Sequence, residues 1–217
     1  MSFDYAKARE TMVEQQIRPW EVLDPRVLEV LARLPREAFV AERHRALAYA
    51  DLELPLGHGE TMLKPVLEGR ALQALALDGG ESVLEIGTGS GFLTACLAAL
   101  SREVTSLERH ADLAEAAYGR LQAQGTGNVE VVAADAFVWE PGRQFDAICV
   151  TGAVDAVPSR FVGWLRPGGR MFVVHGRLPA MEAALLRNDV NGHRIESLFE
   201  TELPYLAGAE PRPEFKF

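Results

Sequence analysis

Cysteine is scarce in this chain, and long apolar segments are missing from it. Two cysteines among 217 residues cannot build the disulfide framework of a small secreted domain. Cys96 falls in a predicted helix and Cys149 in a predicted apolar strand, so we expect two buried thiols and a reducing, cytoplasmic compartment. The first residues show no signal-peptide pattern, and no apolar run approaches the ~20 residues of a membrane span.

Positive charge is also in short supply. The chain has 22 Lys and Arg against 31 Asp and Glu, a formal net charge of −9, and no basic patch. This balance gives no general attraction to phosphate backbones, so we expect no nucleic-acid partner. The five histidines show no metal-ligand spacing, so we expect no metal site. With 48% hydrophobic residues the chain can bury one sizeable core, while its oligomeric state stays open between monomer and homodimer.

A short apolar run that ends in alternating glycines is the most informative stretch. It reads Ser82-Val83-Leu84-Glu85-Ile86-Gly87-Thr88-Gly89-Ser90-Gly91 and predicts a strand and a glycine loop, followed by a helix over Phe92–Leu100. Glycines allow positive φ and let a ligand approach the backbone, and a helix N-terminus presents free amides. A dinucleotide fingerprint needs glycine at position 92, which is Phe92. The pattern therefore indicates a different nucleotide-like ligand.

Two acidic residues strengthen this prediction. Glu108 ends the next predicted strand, Val104–Glu108, 17 positions after Gly91, where its carboxylate can accept hydrogen bonds from two ribose hydroxyls. Glu85 lies within a buried parallel strand, where a charge is costly unless paired, so we expect a ligand or a fixed donor beside it. Asp146 lies early in its strand, away from the glycine loop, and we interpret it as structural.

The order of elements predicts an α/β fold. Strands and helices alternate after residue 79, which implies a Rossmann-like, doubly wound, mostly parallel sheet of seven strands with an N-terminal helical and loop cap. We expect three regions: the cap over 1–78, the ligand-binding domain over 79–205 and a tail over 206–217. The further predicted helices are Tyr5–Ile17, Asp24–Leu34, Pro65–Leu77, Ala111–Gln124 and Val157–Leu165, and the further strands are Val129–Ala134, Phe145–Thr151, Arg170–Val174 and a hairpin of Ala183–Val190 with Ile195–Leu203.

The segment from Tyr49 to Pro65 has neither helical nor strand periodicity. It contains glycine, proline and charged residues and precedes the helix that begins at Pro65. A loop of this length is uncommon without a functional reason. We predict that it covers the ligand crevice at the carboxyl ends of the strands, although a plain surface connection also fits its composition.

Several motifs along the chain resemble one enzyme family. They are Met12-Val13-Glu14-Gln15-Gln16-Ile17-Arg18, Pro35-Arg36-Glu37-x-Phe39-Val40, Pro55-x-Gly57-x-Gly59-x-Thr61, the glycine loop Glu85-x-Gly87-x-Gly89-x-Gly91, Phe145-Asp146-Ala147-Ile148 and Leu165-x-Pro167-Gly168-Gly169. Together they resemble the protein-L-isoaspartate O-methyltransferases, which belong to the class I S-adenosylmethionine-dependent methyltransferases. The resemblance implies methyl transfer from S-adenosyl-L-methionine to the carboxylate of isoaspartyl residues in damaged proteins, with a protein or peptide as partner.

The resemblance also implies roles for individual residues. The glycine loop would hold the methionine part of the cofactor, Glu108 its ribose and Asp135 the adenine amino group, although Asp135 could instead cap the following segment. Thr61, Leu63 and Lys64 would lie at the methyl-transfer centre. The expected cofactor-binding residues are Glu85, Gly87, Thr88, Gly89, Ser90, Gly91, Glu108, Arg109, Asp135, Ala136 and Thr151.

Two positions depart from the family pattern. Members typically read Gln-Thr-Ile-Ser-Gln-Pro where this chain reads Glu60-Thr61-Met62-Leu63-Lys64-Pro65, so Leu63 replaces a serine. The usual Gly-Asp-Gly is Ala134-Asp135-Ala136. Leu63 leaves open a methyltransferase with another acceptor, or a protein that binds the cofactor without turnover. If isoaspartyl chemistry is retained, Lys64 is a candidate for holding the acceptor carboxylate, against the simpler interpretation of a solvated side chain.

Overall fold

The computed structural model describes residues 3–190 and 192–212. Among the described residues, none of the helices combines the length and the apolar character that a membrane crossing requires. The helices are α1 (Tyr5–Met12), α2 (Pro25–Arg33), α3 (Pro65–Leu75), α4 (Phe92–Leu100), α5 (Ala111–Ala123) and α6 (Ser159–Gly163). The strands are β1 (Leu54–Gly57), β2 (Glu60–Met62), β3 (Ser82–Ile86), β4 (Glu103–Glu108), β5 (Val129–Ala133), β6 (Phe145–Val154), β7 (Leu165–Arg177), β8 (Ala180–Asp189) and β9 (Gly192–Glu200).

A seven-stranded sheet in the order β5-β4-β3-β6-β7-β8-β9 forms the centre of the molecule. Strands β3 to β7 pair in parallel, and β8 and β9 complete the sheet in antiparallel orientation. The predicted doubly wound, mostly parallel fold is therefore confirmed. The chain runs outward from β3 through β4 to β5 and then returns to β6 on the other side of β3. Such a reversal opens a crevice at the carboxyl ends of the two central strands.

The core has two parts, one on each face of the sheet, because side chains alternate along a strand. Val83 and Phe92 belong to the part shared with α2, α3 and α4, and Leu84 and Phe161 belong to the part on the opposite face. All five residues of β3 are buried. This burial explains the nearly continuous apolar run from which β3 was predicted.

The N-terminal cap agrees with the predicted helices apart from their ends. α1 ends at Met12, and the chain continues through a π-helical turn over Val13–Ile17 and a 3₁₀ turn over Arg18–Trp20. α2 begins as predicted: the Asp24 side chain accepts a hydrogen bond from the amide of Arg26, and Pro25 occupies the first helical position.

The prediction that residues 49–65 contain no strand is wrong. β1 and β2 form an antiparallel hairpin in which Leu54 lies opposite Met62 and Pro55 opposite Thr61. The turn contains His58 at φ 55° between two glycines that also have positive φ. Both strands are too short to display an alternating pattern, which is why periodicity did not reveal them.

The C-terminal half differs from the prediction at three places. α6 spans Ser159–Gly163 and is shorter than the expected helix. β7 starts at Leu165, so the predicted turn over 166–169 is an irregularity inside the strand, where Asp146 pairs with Arg166 and accepts hydrogen bonds from Ser82. The final hairpin is confirmed with shifted bounds: β8 is longer than expected, and β9 begins and ends three residues earlier. Asn191 of its predicted turn lies outside the described residues.

The expected division into three regions stays a prediction. Residues 206–212 are the described part of the predicted tail, and 213–217 lie outside the described residues. Leu206 donates a backbone hydrogen bond to Ala153 at the end of β6, and Ala153 in turn donates one to Pro204. The start of the tail is thus joined to the central sheet beside the crevice.

Candidate active site

The glycine loop begins directly at the end of β3. Gly87, Gly89 and Gly91 have φ values of 97°, 53° and 86°, a conformation that side chains rarely adopt. A Cβ on Gly87 would collide with the hydroxyl of Thr151, which donates to the backbone oxygens of Ile86 and Gly87 at 2.9 Å each. Thr151, from β6, therefore fixes the start of the loop.

The amides of the loop are largely used to fix its shape. Those of Gly87 and Thr88 donate to the Leu107 carbonyl at 2.9 and 3.0 Å, which ties the loop to β4. Gly87, Thr88, Gly89 and Ser90 line a pocket at the carboxyl ends of the strands. Gly91 is outside the pocket lining: a Cβ there would lie 3.3 Å from that of Ala117, so its role is to let α5 pack closely.

Glu108 is held rigidly beside the loop. Its side chain accepts hydrogen bonds from the amide of Gly89 at 2.9 Å and from that of His110 at 3.0 Å, one on each carboxylate oxygen. The residue is buried and lines the pocket, and the exposed Arg109 follows it in the lining. Each carboxylate oxygen keeps a further lone pair, so Glu108 can accept two hydroxyl groups as predicted.

Asp135 lies at the same edge of the sheet and does more than line the pocket. One of its oxygens accepts a hydrogen bond from the amide of Phe137 at 2.8 Å, so it also caps the turn that follows. Ala136 is buried and lines the pocket beside it. The two interpretations of Asp135 are therefore compatible, because a carboxylate has a second oxygen.

Glu85 is buried behind the pocket and is absent from its lining. Its Oε2 accepts hydrogen bonds from Thr94 and Ser106, both at 2.5 Å, and its Oε1 has no partner among the described residues. Ser106 gives its one hydroxyl hydrogen to Glu85, so Thr88 is the donor in the 2.6 Å contact between Thr88 and Ser106. Burial raises the pKa of Glu85 to about 8, partly offset by the two hydroxyl donors. Glu85 is thus linked to the pocket through Ser106 and Thr88.

The β1–β2 hairpin and the residues after it form a second wall. Leu56, Glu60, Thr61, Met62 and Leu63 line the pocket. The Thr61 hydroxyl donates to Glu53 at 3.4 Å, and Leu63 is buried. Lys64 is not part of the lining. It is exposed and is the N-cap residue of α3. The predicted covering segment thus contacts the crevice, but the structure does not bring Lys64 to it.

A buried ion pair beneath this wall was missed in the sequence. Arg36 and Glu68 pair directly, and both side chains have almost no exposed surface. Arg36 also donates to the carbonyls of Ala48 at 2.7 Å and Leu63 at 2.6 Å. Glu68 lines the pocket, whereas Arg36 does not. An acidic residue inside the apolar start of α3 was the available signal, of the same kind as Glu85 in β3.

A third wall comes from the end of the chain and was also missed. The pocket is also lined by Leu203, Pro204, Tyr205, Leu206 and Ala207. Tyr205 forms a parallel bridge with Ala153, and its hydroxyl donates to the Gly176 carbonyl at 2.9 Å. A short apolar stretch after the last strand gives no periodic signal. The remaining lining residues are Ile86, Leu93, Leu107, Ala134, Phe137, Thr151 and Gly152.

The sequence model of the family described as protein-L-isoaspartate(D-aspartate) O-methyltransferase matches residues 7–197. The chain belongs to this family. "Protein-L-isoaspartate O-methyltransferase 1" of Rhodopseudomonas palustris is 42% identical over 209 residues, covering 95% of this chain and 85% of the relative. "Protein-L-isoaspartate O-methyltransferase 2" of Marinobacter nauticus is 41% identical over 174 residues, 80% of each chain.

The fold agrees with a solved structure of the same family description. A Plasmodium falciparum protein described as a beta-aspartate methyltransferase, in complex with S-adenosyl-L-homocysteine, superposes with a TM-score of 0.80 at 20% identity. The match covers 94% of this chain and 99% of that one. The two chains therefore share their fold over nearly their whole lengths.

Within this family, the residue of this chain that departs from the pattern, Leu63, lies in the pocket. Leu63 lines the pocket where the resemblance predicted a serine, and its carbonyl is held by Arg36. The side chain at this position is therefore apolar, while its backbone is fixed by a cation. In the described ranges, 3–190 and 192–212, no group of three or more His, Cys, Asp or Glu side chains could hold a metal ion.

Proposed function

We propose that this protein transfers a methyl group from S-adenosyl-L-methionine to the carboxylate of L-isoaspartyl residues in proteins. The observation that carries this proposal is the juxtaposition, in a chain of this family, of the glycine loop with the Glu108 carboxylate, which the Gly89 amide holds at 2.9 Å. Local rigidity at this point matters because a nucleoside is recognised through its two ribose hydroxyls by a carboxylate that does not move.

The residues present fit this cofactor. Glu108 has acceptor capacity left for the ribose hydroxyls, and Asp135 has a second oxygen for the adenine amino group. Gly87, Thr88, Gly89 and Ser90 line the pocket, so the loop is available to the methionine part. The cofactor, when bound, supplies a methyl group on a cationic sulfur. Carboxylates at the pocket suit that positive charge.

The reaction does not require the protein to transfer a proton. An acceptor carboxylate is ionised near pH 7, so it can attack the methyl carbon without a general base. The new O–CH₃ bond forms as the S–CH₃ bond breaks, and the sulfur leaves as a neutral thioether. The task of the chain is to align the two reactants and exclude water, which the buried side chains of Met62 and Leu63 favour.

The proposed acceptor is a protein and the proposed compartment is the cytoplasm. A net charge of −9 supports a protein partner over a nucleic acid. Cys96 and Cys149 are both free and buried, and burial raises the pKa of both thiols well above the usual value. Two unpaired thiols in the core suit a reducing environment.

Incubation with methyl-labelled cofactor and an isoaspartyl peptide tests the proposal. We expect label in the peptide that is released as volatile methanol in base, and none in the matched peptide with a normal aspartyl residue. Glu108→Ala should weaken S-adenosyl-L-homocysteine binding in calorimetry by about 2–4 kcal/mol, through loss of two charge-assisted hydrogen bonds. If the native protein bound no cofactor, the methyltransferase assignment would fail. Binding without transfer to the isoaspartyl peptide would instead refute the acceptor.

A further inference from the structure

The Arg36–Glu68 pair is an expensive arrangement for a protein interior. Removing both charges from water costs several kcal/mol per ion, and well-packed apolar side chains often stabilise a fold equally well. The Arg36 guanidinium is fully buried, donates to two carbonyls and lies 4.9 Å from the centre of the Phe92 ring. Glu68 is the carboxylate that neutralises it. Stability alone does not explain why such a pair borders the pocket.

The pair is oriented with respect to the pocket. Glu68 belongs to the lining and Arg36 lies behind it, so the negative member is the nearer one. Burial raises the pKa of the Glu68 carboxyl, and the contact with Arg36 offsets only part of that rise. The other acidic groups that influence Glu68 and its surroundings are Asp51, which faces the start of α3, and Glu85. The pair is neutral as a whole, so an anionic acceptor meets no net negative charge.

We propose that Glu68 is a specificity residue that favours the cationic sulfonium of S-adenosyl-L-methionine over the neutral thioether of S-adenosyl-L-homocysteine. This inference rests on the proposed function. Arg36 neutralises Glu68 enough for burial and, through the Leu63 carbonyl, holds the backbone of the hairpin wall. The negative end of the pair stabilises the charged donor, and this stabilisation disappears when the methyl group, with its positive charge, has left. Glu68 thereby promotes the replacement of S-adenosyl-L-homocysteine by S-adenosyl-L-methionine after each reaction.

The ratio of the dissociation constants for the two ligands, measured by calorimetry, tests the inference. In Glu68→Gln the amide preserves shape, but Arg36 is left as an unbalanced cation. We expect the affinity for S-adenosyl-L-methionine to fall roughly 5- to 30-fold more than that for S-adenosyl-L-homocysteine, as one charge near the ligand would cause at intermediate effective dielectric. A purely structural role would weaken both ligands equally, so an unchanged ratio overturns the inference.

A matched control is available away from the pocket. Glu81 pairs with Arg170 at 2.6 Å, both side chains are largely buried, and neither lines the pocket. Glu81→Gln breaks a comparable ion pair and should leave the ratio at its native value. A shift as large as that of Glu68→Gln would show that the ratio responds to general destabilisation, which contradicts the proposal.

A second variant covers the case in which Glu68→Gln fails to fold. The double variant Arg36→Met, Glu68→Gln removes both charges, a replacement that buried pairs commonly tolerate. We expect its ratio to move about 2- to 3-fold toward S-adenosyl-L-homocysteine, less than in the single variant because no buried cation remains. An unchanged ratio would overturn the inference. If the native protein bound neither ligand, the proposed function would fail first.

Discussion

Glu85 shows how one buried carboxyl group can link stability to pH. In the native protein its pKa is raised to about 8 by burial, whereas a carboxyl group of an unfolded chain titrates near ~4.3. The native state therefore binds a proton more tightly than the unfolded state does. The resulting stabilisation is fully present below about pH 4.3 and is lost as the pH rises to about 8.

Glu85→Gln should remove this pH dependence. We expect the variant to gain about 2–4 kcal/mol in free energy of unfolding relative to the native protein at pH 9, because the native carboxylate is then ionised without water. At pH 4.5 the two proteins should differ little. Urea unfolding at both pH values measures this, with the exposed Glu196→Gln as control. An equal difference at both pH values would contradict the raised pKa.

Leu63 is the residue at which the acceptor chemistry can be adjusted. Its side chain lines the pocket at the position of the family serine. Leu63→Ser should raise turnover on an isoaspartyl peptide, up to the ~5- to 150-fold that one hydrogen bond of about 1–3 kcal/mol provides. The measurement is kcat with saturating peptide. Leu56→Ser, which changes another pocket leucine of the same wall, should give no gain.

Lys64 separates two explanations of how the acceptor is held. Lys64 is exposed and lies outside the pocket lining. We therefore expect Lys64→Ala to change turnover by less than about 2-fold, as for a solvated side chain. A drop of about 10-fold or more would restore the alternative that Lys64 provides a charge-assisted bond to the acceptor carboxylate. If neither Leu63→Ser nor the native protein turned over the peptide, another acceptor would be indicated.

At the scale of elements, the β1–β2 hairpin is attached to the cofactor side of the sheet by its turn. The His58 ring stacks on that of His110 at 4.2 Å, and His58 also contacts Asp112 at 2.9 Å in the first turn of α5. His110 is the residue whose amide holds Glu108. The Leu56 side chain lies close to Gly89: a Cβ added at Gly89 would be 3.0 Å from it. The hairpin thus rests directly on the residues proposed to bind the cofactor.

Cofactor binding should therefore protect this hairpin. We expect hydrogen exchange of the amides over 54–62 to slow when S-adenosyl-L-homocysteine is added, since a ligand beneath the hairpin reduces its local opening. His58→Ala should exchange faster before ligand is added, because the turn loses its stacking partner. The amides of β8, which has no residue in the pocket lining, serve as internal reference. Equal exchange with and without ligand would leave the hairpin as an ordinary surface connection.

At the scale of the whole molecule, the pocket brings together parts of the chain that are far apart in sequence. Its walls come from residues 56–68, from the ends of β3, β4 and β6 with the segment after β5, and from residues 203–207. A ligand that contacts all three walls binds the native state and not the unfolded chain. Binding therefore stabilises the entire fold by mass action.

Thermal unfolding should register this linkage. At 100 times its dissociation constant, S-adenosyl-L-homocysteine should contribute about 2.7 kcal/mol and raise Tm by roughly 5–10 °C for a chain of this size. Calorimetric scans of the native protein and of Glu108→Ala, at one ligand concentration, make the comparison. The shift should nearly vanish in the variant. An equal shift in both proteins would mean that the ligand is held without Glu108.

Local sequence was sufficient wherever one short stretch builds one element. The end of β3, the glycine loop and α4 were predicted with the observed bounds of the helix, Phe92–Leu100, because apolar runs and glycines act over a few residues. The same reasoning placed Glu108 and Asp135 at the strand ends, and parallel strands bring such ends together. The sequence by itself thus determined the fold class, the family motifs and most of one pocket wall.

Tertiary structure decided what depends on pairing between distant residues. Position within β3 could not show that Glu85 faces Thr94 and Ser106 instead of the pocket. Periodicity could not reveal a hairpin whose second strand has three residues, nor a wall made by residues 203–207. The Arg36–Glu68 pair joins residues 32 positions apart. Such contacts depend on which surfaces the packed core brings together. Local sequence patterns extend over only a few residues and therefore do not predict them.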